Sequence, residues 1–202
     1  MTTAPLPRVT EILAAVGLGP DYAEVPPAIL LRAASRGTAV HEAIGEHFAR
    51  TLWGVDAHVQ PYLDAFQRFL SDSGYVPIET PEEFRNPEFP NEITLTHPYG
   101  FTGHIDPGGI GWLHGVRALV DWKTTVRLSA SLAYQLAGYR LLWRHVRPAE
   151  RIEISLAVQL RADGSYPIWD PEKERPYILA ADAEAVFLAA LTVYRAQQRR
   201  RR

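Results

Sequence analysis

The stretch RALVDWKTT, residues 117–125, closes an apolar, β-branched run with a carboxylate, Asp121, and an ammonium, Lys123, two positions apart. Side chains alternate across a strand, so Leu119, Asp121 and Lys123 share one face while Ala118, Val120 and Trp122 share the other. In GFTGHID, residues 100–106, Thr102, His104 and Asp106 share a face in the same way. An antiparallel hairpin through PGGIGWLHGV would bring Asp106 against Asp121. Two carboxylates a few ångströms apart repel unless a proton or cation intervenes, and a hard divalent ion with oxygen ligands is the simplest remedy. Magnesium or manganese is therefore the expected cofactor. Lys123 is expected to hold a water or a phosphate oxygen, with its pKa drawn down toward the general-base range beside the metal. Taken alone, the Asp-x-Lys triplet is very weak evidence and reads first as an ion pair at a sheet edge, with Asp106 before Pro107 as the start of a turn.

The elements that must position these residues can be read from periodicity. VTEILAAVGLG predicts a short helix with Thr10 as its N-cap. Residues 28–53 predict a long helix, broken near Gly37, in which Ile44, Phe48 and Leu52 follow His41 at spacings of three, four and four and put His41 on the inward stripe. A third helix is expected over 58–74. EITLTHP, YGFTGHID and RALVDWKTT then read as strands, separated by the turn signals PYG and PGGIG. SASLAYQLAGYRLLWRHV is a helix capped by Ser129 or Ser131; residues 150–170 give one or two strands with a DG turn; residues 172–198 give a strand fragment and a closing helix. The order predicts an α/β (α+β) domain with a central mixed sheet flanked by helices. One domain is expected over residues 1–202, with an N-terminal helical segment at 8–75 and a basic tail at 195–202.

Composition narrows the chemistry. The chain has 202 residues, 47% hydrophobic content and no cysteine, which excludes disulfides, thiolate nucleophiles and cysteine-ligated iron-sulfur clusters. No apolar run approaches the roughly 18 residues of a membrane span, and MTTAPLP carries no secretory pattern, so an intracellular, cytoplasmic protein without a membrane partner is expected. The formal net charge of -2 gives no overall attraction to a polyanion, so any such partner must be held by local basic patches. Two apparent motifs are set aside: the histidines of HEAIGEH are six apart and do not make a zincin pair, and PGGIG joins strands instead of opening a phosphate-binding helix.

The ordered set RGTAVHEAI, GFTGHID, LVDWKTT and QLAGY resembles the PD-(D/E)XK nuclease superfamily, and within it the RecB-like and Cas4-like exonuclease branch, including stand-alone phage-type nucleases. PRVTEILAAVGL resembles the opening of that phage-type group, so the likeness spans roughly residues 7–195. It implies a restriction-endonuclease-like core and a metal-dependent DNA exonuclease of low sequence specificity, acting in recombination, repair or phage DNA processing. It implies metal ligation by His41, Asp106, Asp121 and the main-chain oxygen of Trp122. Lys123 would align the attacking water, with Asp121 and Asp106 as its catalytic partners. Gln135 and Tyr139, one helical turn apart, would contact substrate or brace the metal. The absence of cysteine departs from the iron-sulfur relatives and favours the phage-type group. Glu42, Glu46 and Glu92 are further carboxylates outside this set.

DNA is the expected partner, its phosphates held by Arg36 and Arg127 and by Arg32, Arg140 and Arg144, alongside a recombination or single-strand-annealing protein. The rival expectation is a catalytically silent nuclease-like module that binds DNA ends or a partner. A glycosidase-type use of paired carboxylates would leave Lys123, His41 and the Gln135–Tyr139 pair without a shared task.

Overall fold

A computed structural model describes residues 5–85, 91–171 and 180–200. Its helices are α1 (Val9–Ala15), α2 (Pro27–Ala49), α3 (Gln60–Ser73), α4 (Leu132–Val146) and α5 (Ala180–Arg200). Its strands are β1 (Val76–Pro77), β2 (Ile93–His97), β3 (Phe101–Ile105), β4 (Ile110–Leu113), β5 (Val116–Lys123), β6 (Ile154–Gln159) and β7 (Ile168–Trp169). The five-stranded sheet runs β1-β4-β5-β6-β7, with β5 and β6 parallel and the other neighbours antiparallel; β2 and β3 form a separate antiparallel ribbon. The fold is α+β, with a mixed sheet between helical layers.

The expected alternation along β5 divides the core. Leu119 packs with α1, α4 and α5 around Ile12, Leu142, Trp143 and Phe187. Ala118, Val120 and Trp122 pack on the other face with α2 and α3, around Ile44, Phe66 and Phe69. Trp122 is fully buried and meets Phe66 edge-on at 5.1 Å between ring centroids, so the strand carrying the Asp-x-Lys pair is anchored from below. The parallel step from β5 to β6 needs a crossover, which α4 supplies.

Several sequence expectations are corrected. The hairpin partner of β5 is β4, not the GFTGHID strand; Leu113 pairs with Val116 across a two-residue turn in which His114 and Gly115 have φ of 52° and 83°. That left-handed pair is the turn a tight hairpin requires, and His-Gly supplies it. β3 instead pairs with β2 at Thr94–His104 and Leu95–Gly103. α1 starts at Val9, with Arg8 as N-cap in place of Thr10, and the Glu11 carboxylate accepts the Arg8 N–H at 3.0 Å. α2 runs through Gly37 without a break and stops at Ala49, where Arg50 turns left-handed at φ 57°. The strand fragment expected within 172–179 and the final Arg201 and Arg202 of the basic tail lie outside the described residues. Among the described residues, no helix is long and apolar enough to cross a membrane.

Candidate active site

β5 ends at Lys123, and an open cleft of about 630 Å³ lies at that end of the strand. α2 contributes His41, the turn after β3 contributes Asp106, β5 contributes Asp121 and Lys123, and α4 contributes Gln135 and Tyr139; all six line the cleft. Four chain segments remote in sequence therefore converge on the cleft.

Trp122 organises the junction with three polar contacts. Its main-chain N–H donates to Asp106 Oδ2 at 2.9 Å, and its indole N–H donates to Pro107 O at 2.9 Å. Its carbonyl oxygen lies 3.0 Å from His41 Nε2. His41 Nδ1 in turn lies 3.2 Å from Asp106 Oδ1. Asp106 thus reaches β5 although its own strand belongs to the other sheet, because Trp122 grips both its carboxylate and the next carbonyl.

Asp121 is 3% exposed. Oδ1 accepts from Gln135 Nε2 at 3.1 Å, and Gln135 Nε2 is also 3.2 Å from the Tyr139 hydroxyl, so α4 fixes the carboxylate through one amide. Gly103 makes that approach possible: a Cβ there would fall 2.6 Å from Leu142 Cδ1 and 3.0 Å from Tyr139 Cε1. Lys123 Nζ lies 2.6 Å from Asp121 Oδ2, a close ion pair on the oxygen that Gln135 leaves open.

The two carboxylates are not equivalent. Burial pushes Asp106 up, yet the His41 charge and hydrogen bond outweigh it and hold Asp106 below the usual carboxylate range. Burial likewise pushes Asp121 up, the Asp106 charge adds to it, and Lys123 only partly offsets the rise, so Asp121 sits above that range. For Lys123, burial works against the charged form but the carboxylates of Asp121 and Asp106 prevail and raise its pKa. With these neighbours Lys123 is an ammonium donor. Burial also lifts the Tyr139 hydroxyl well above 10, so it stays protonated.

The donor chemistry fits a hard divalent cation. Two carboxylates, a carbonyl and an imidazole stand at one cleft, which is an oxygen-rich set with one nitrogen. Among the described residues no three His, Asp or Glu side chains form a ready-made cation cage. The imidazole and the ammonium hold the carboxylates instead.

None of the five arginines expected to hold DNA lines the cleft. Arg36 donates to Thr124 O at 3.1 Å and lies over the Tyr62 ring, so it braces the chain just past Lys123 instead of lining the cleft. Arg127 is exposed and also outside the cleft lining. Arg32 donates back to Ala28 O within its own helix. Arg140 and Arg144 lie 3.6 and 2.9 Å from Glu184, joining α4 to α5. Sequence reasoning missed Gln159, whose amide donates to Val126 O at 2.9 Å and fastens the β5–α4 loop; a buried glutamine in an apolar strand was the only signal. Glu42, Glu46 and Glu92 do line the cleft, with His104 Nδ1 3.5 Å from Glu92 and 3.1 Å from the Thr94 hydroxyl.

The chain matches no protein-family model and no curated protein sequence, so the reading of the site rests on its geometry.

Proposed function

We propose that this cleft is the active site of a divalent-metal-dependent deoxyribonuclease of the PD-(D/E)XK type, hydrolysing DNA phosphodiesters with low sequence specificity. The single observation that carries the reading is the meeting of His41, Asp106, the Trp122 carbonyl, Asp121 and Lys123, from three separate segments, at one strand end. His41, Asp106, Asp121 and the Trp122 oxygen would hold Mg2+ or Mn2+. The bound ion would neutralise the carboxylates, polarise the scissile phosphate and acidify a water. Lys123, 21% exposed and kept charged by its carboxylate neighbours, supplies N–H donors to a water or a phosphate oxygen in the cleft. Gln135 and Tyr139 fix the orientation of Asp121, and Trp122 fixes Asp106. Exonucleolytic action and a role in recombination, repair or phage DNA processing follow from the sequence resemblance.

One observation favours a second reading, a silent DNA-end or partner-binding module: the carboxylates are already neutralised by His41 and Lys123. Incubation of linear and circular, single- and double-stranded DNA with Mg2+, Mn2+ or EDTA separates the two. The proposal expects metal-dependent cleavage that Lys123→Ala and Asp121→Asn each reduce about 100-fold or more. Wild-type protein inert on every substrate, or full activity in Asp121→Asn, overturns it.

A further inference from the structure

We infer that Arg8 is the residue that takes hold of a phosphate of the DNA strand at the rim of the cleft. This rests on the nuclease reading and adds a substrate-positioning residue to it. Among the described residues the cleft is lined by five carboxylates, Glu42, Glu46, Glu92, Asp106 and Asp121, against two permanent cations, Arg8 and Lys123. A wall of that sign repels a polyanion unless a cation is free to meet it. Lys123 is engaged by Asp121 at 2.6 Å. Arg36, Arg140 and Arg144 are committed to Thr124 and Glu184, and Arg127 stands outside the cleft.

Arg8 is mounted firmly and left open at its tip. Pro7 O accepts from Thr102 N at 2.9 Å, and Arg8 bridges to Thr102 as a parallel extension of the β3 edge, four residues before Asp106. Its carbonyl accepts the Ile12 N–H at 3.0 Å and its N–H donates to Glu11 at 3.0 Å. The neighbouring Val9 is fully buried. The Arg8 side chain, by contrast, is 61% exposed, and its ion partner Glu11 stands 3.9 Å away with 57% exposure, a weak pair that substrate can displace. A planar guanidinium on a fixed main chain is suited to two-pronged binding of phosphate oxygens.

The test is steady-state cleavage of linear DNA by full-length protein, with equilibrium binding measured in Ca2+. Arg8→Ala should raise KM about fivefold to tenfold, keep kcat within about twofold, and lower the salt slope of log KM by about one. Arg8→Lys should keep the slope. Glu11→Gln, which removes only the ion partner, should leave KM and slope unchanged. An effect that vanishes on dephosphorylated ends puts Arg8 on a terminal phosphate, and one that persists puts it on the backbone; either supports the assignment. Cleavage with wild-type KM, Kd and slope in Arg8→Ala overturns it, as does a loss shared equally with Glu11→Gln. Absence of cleavage with an Arg8-dependent Kd overturns the nuclease reading and keeps Arg8 as a phosphate contact.

Discussion

His41 presents Nδ1 to Asp106 at 3.2 Å and Nε2 to the Trp122 carbonyl at 3.0 Å. Both neighbours are acceptors, so the ring satisfies them together only as an imidazolium. Burial, the largest single influence, lowers its pKa, but the Asp106 charge and hydrogen bond, helped by Asp121, overcome burial and Lys123 and raise it from 6.5 to about 9. With the side chain 24% exposed, the interval from 6.5 to about 9 is worth ~3 kcal/mol. The folded-state pKa lies above the unfolded one, so this stabilisation is whole below about pH 6.5 and is lost as pH rises through about 9. Thermal unfolding in EDTA should then show Tm falling by roughly 6–12 °C between pH 6 and pH 9.5. The scan stops there because Lys123 titrates above 10.5. In Asp106→Asn the amide carbonyl can still accept the Trp122 N–H while its NH2 donates to a neutral Nδ1. Burial and Lys123 then act unopposed by Asp106, the His41 ring titrates below 6.5 by NMR, and the fall in Tm disappears. A wild-type ring titrating at or below 6.5, or an equal pH slope in both proteins, refutes the ion-pair account.

Three further outcomes follow from the packing. Gly103→Ala drives a methyl into Leu142 and Tyr139 and should lower stability by about 1–3 kcal/mol in denaturant titration. Cleavage should fall too, because Tyr139 and Gln135 move with α4. Arg140→Ala with Arg144→Ala leaves Glu184, 13% exposed, without its two cations; a loss of about 1–3 kcal/mol with unchanged KM for DNA is expected, and a raised KM would return these arginines to the DNA surface. Trp122→Phe deletes the buried indole donor to Pro107 O and should cost about 1–3 kcal/mol, read by chemical unfolding with far-UV circular dichroism as the fold control.

What could be read from the sequence was whatever depends on local repeat. The two-residue period of β5 put Leu119 and Trp122 into opposite cores and Asp121 beside Lys123, as alternation demands. Helical spacing likewise put Gln135 one turn from Tyr139, now bridged at 3.2 Å. Pairing between strands has no such local signature. Sequential strands usually pair, which made β3 the natural partner for β5, but the His114–Gly115 turn lets IGWL fold back first and displaces β3 to a second sheet. Asp106 nonetheless reaches Asp121 because of contacts invisible in sequence, the Trp122 N–H and indole. The ion pairs of the arginines were illegible for a related reason: nothing around Arg140 and Arg144 announces that Glu184, some forty residues on, will face them.

The charge arrangement connects stability to the proposed chemistry. Asp121 is buried and Asp106 half-buried, each acts on the other's charge, and the protein balances them with one imidazolium and one ammonium. On the proposed reading, His41 would give up its proton to hold a divalent ion, since an imidazole must be unprotonated to act as a ligand. Cation binding and the His41–Asp106 ion pair then compete for the same ring nitrogens. Apo stability falls toward pH 9 while cation affinity rises over the same interval, so the Tm gained on adding Mn2+ should be larger at pH 8.5 than at pH 6.5. A gain independent of pH would mean that His41 keeps its proton, and that the ion is held by the carboxylates alone.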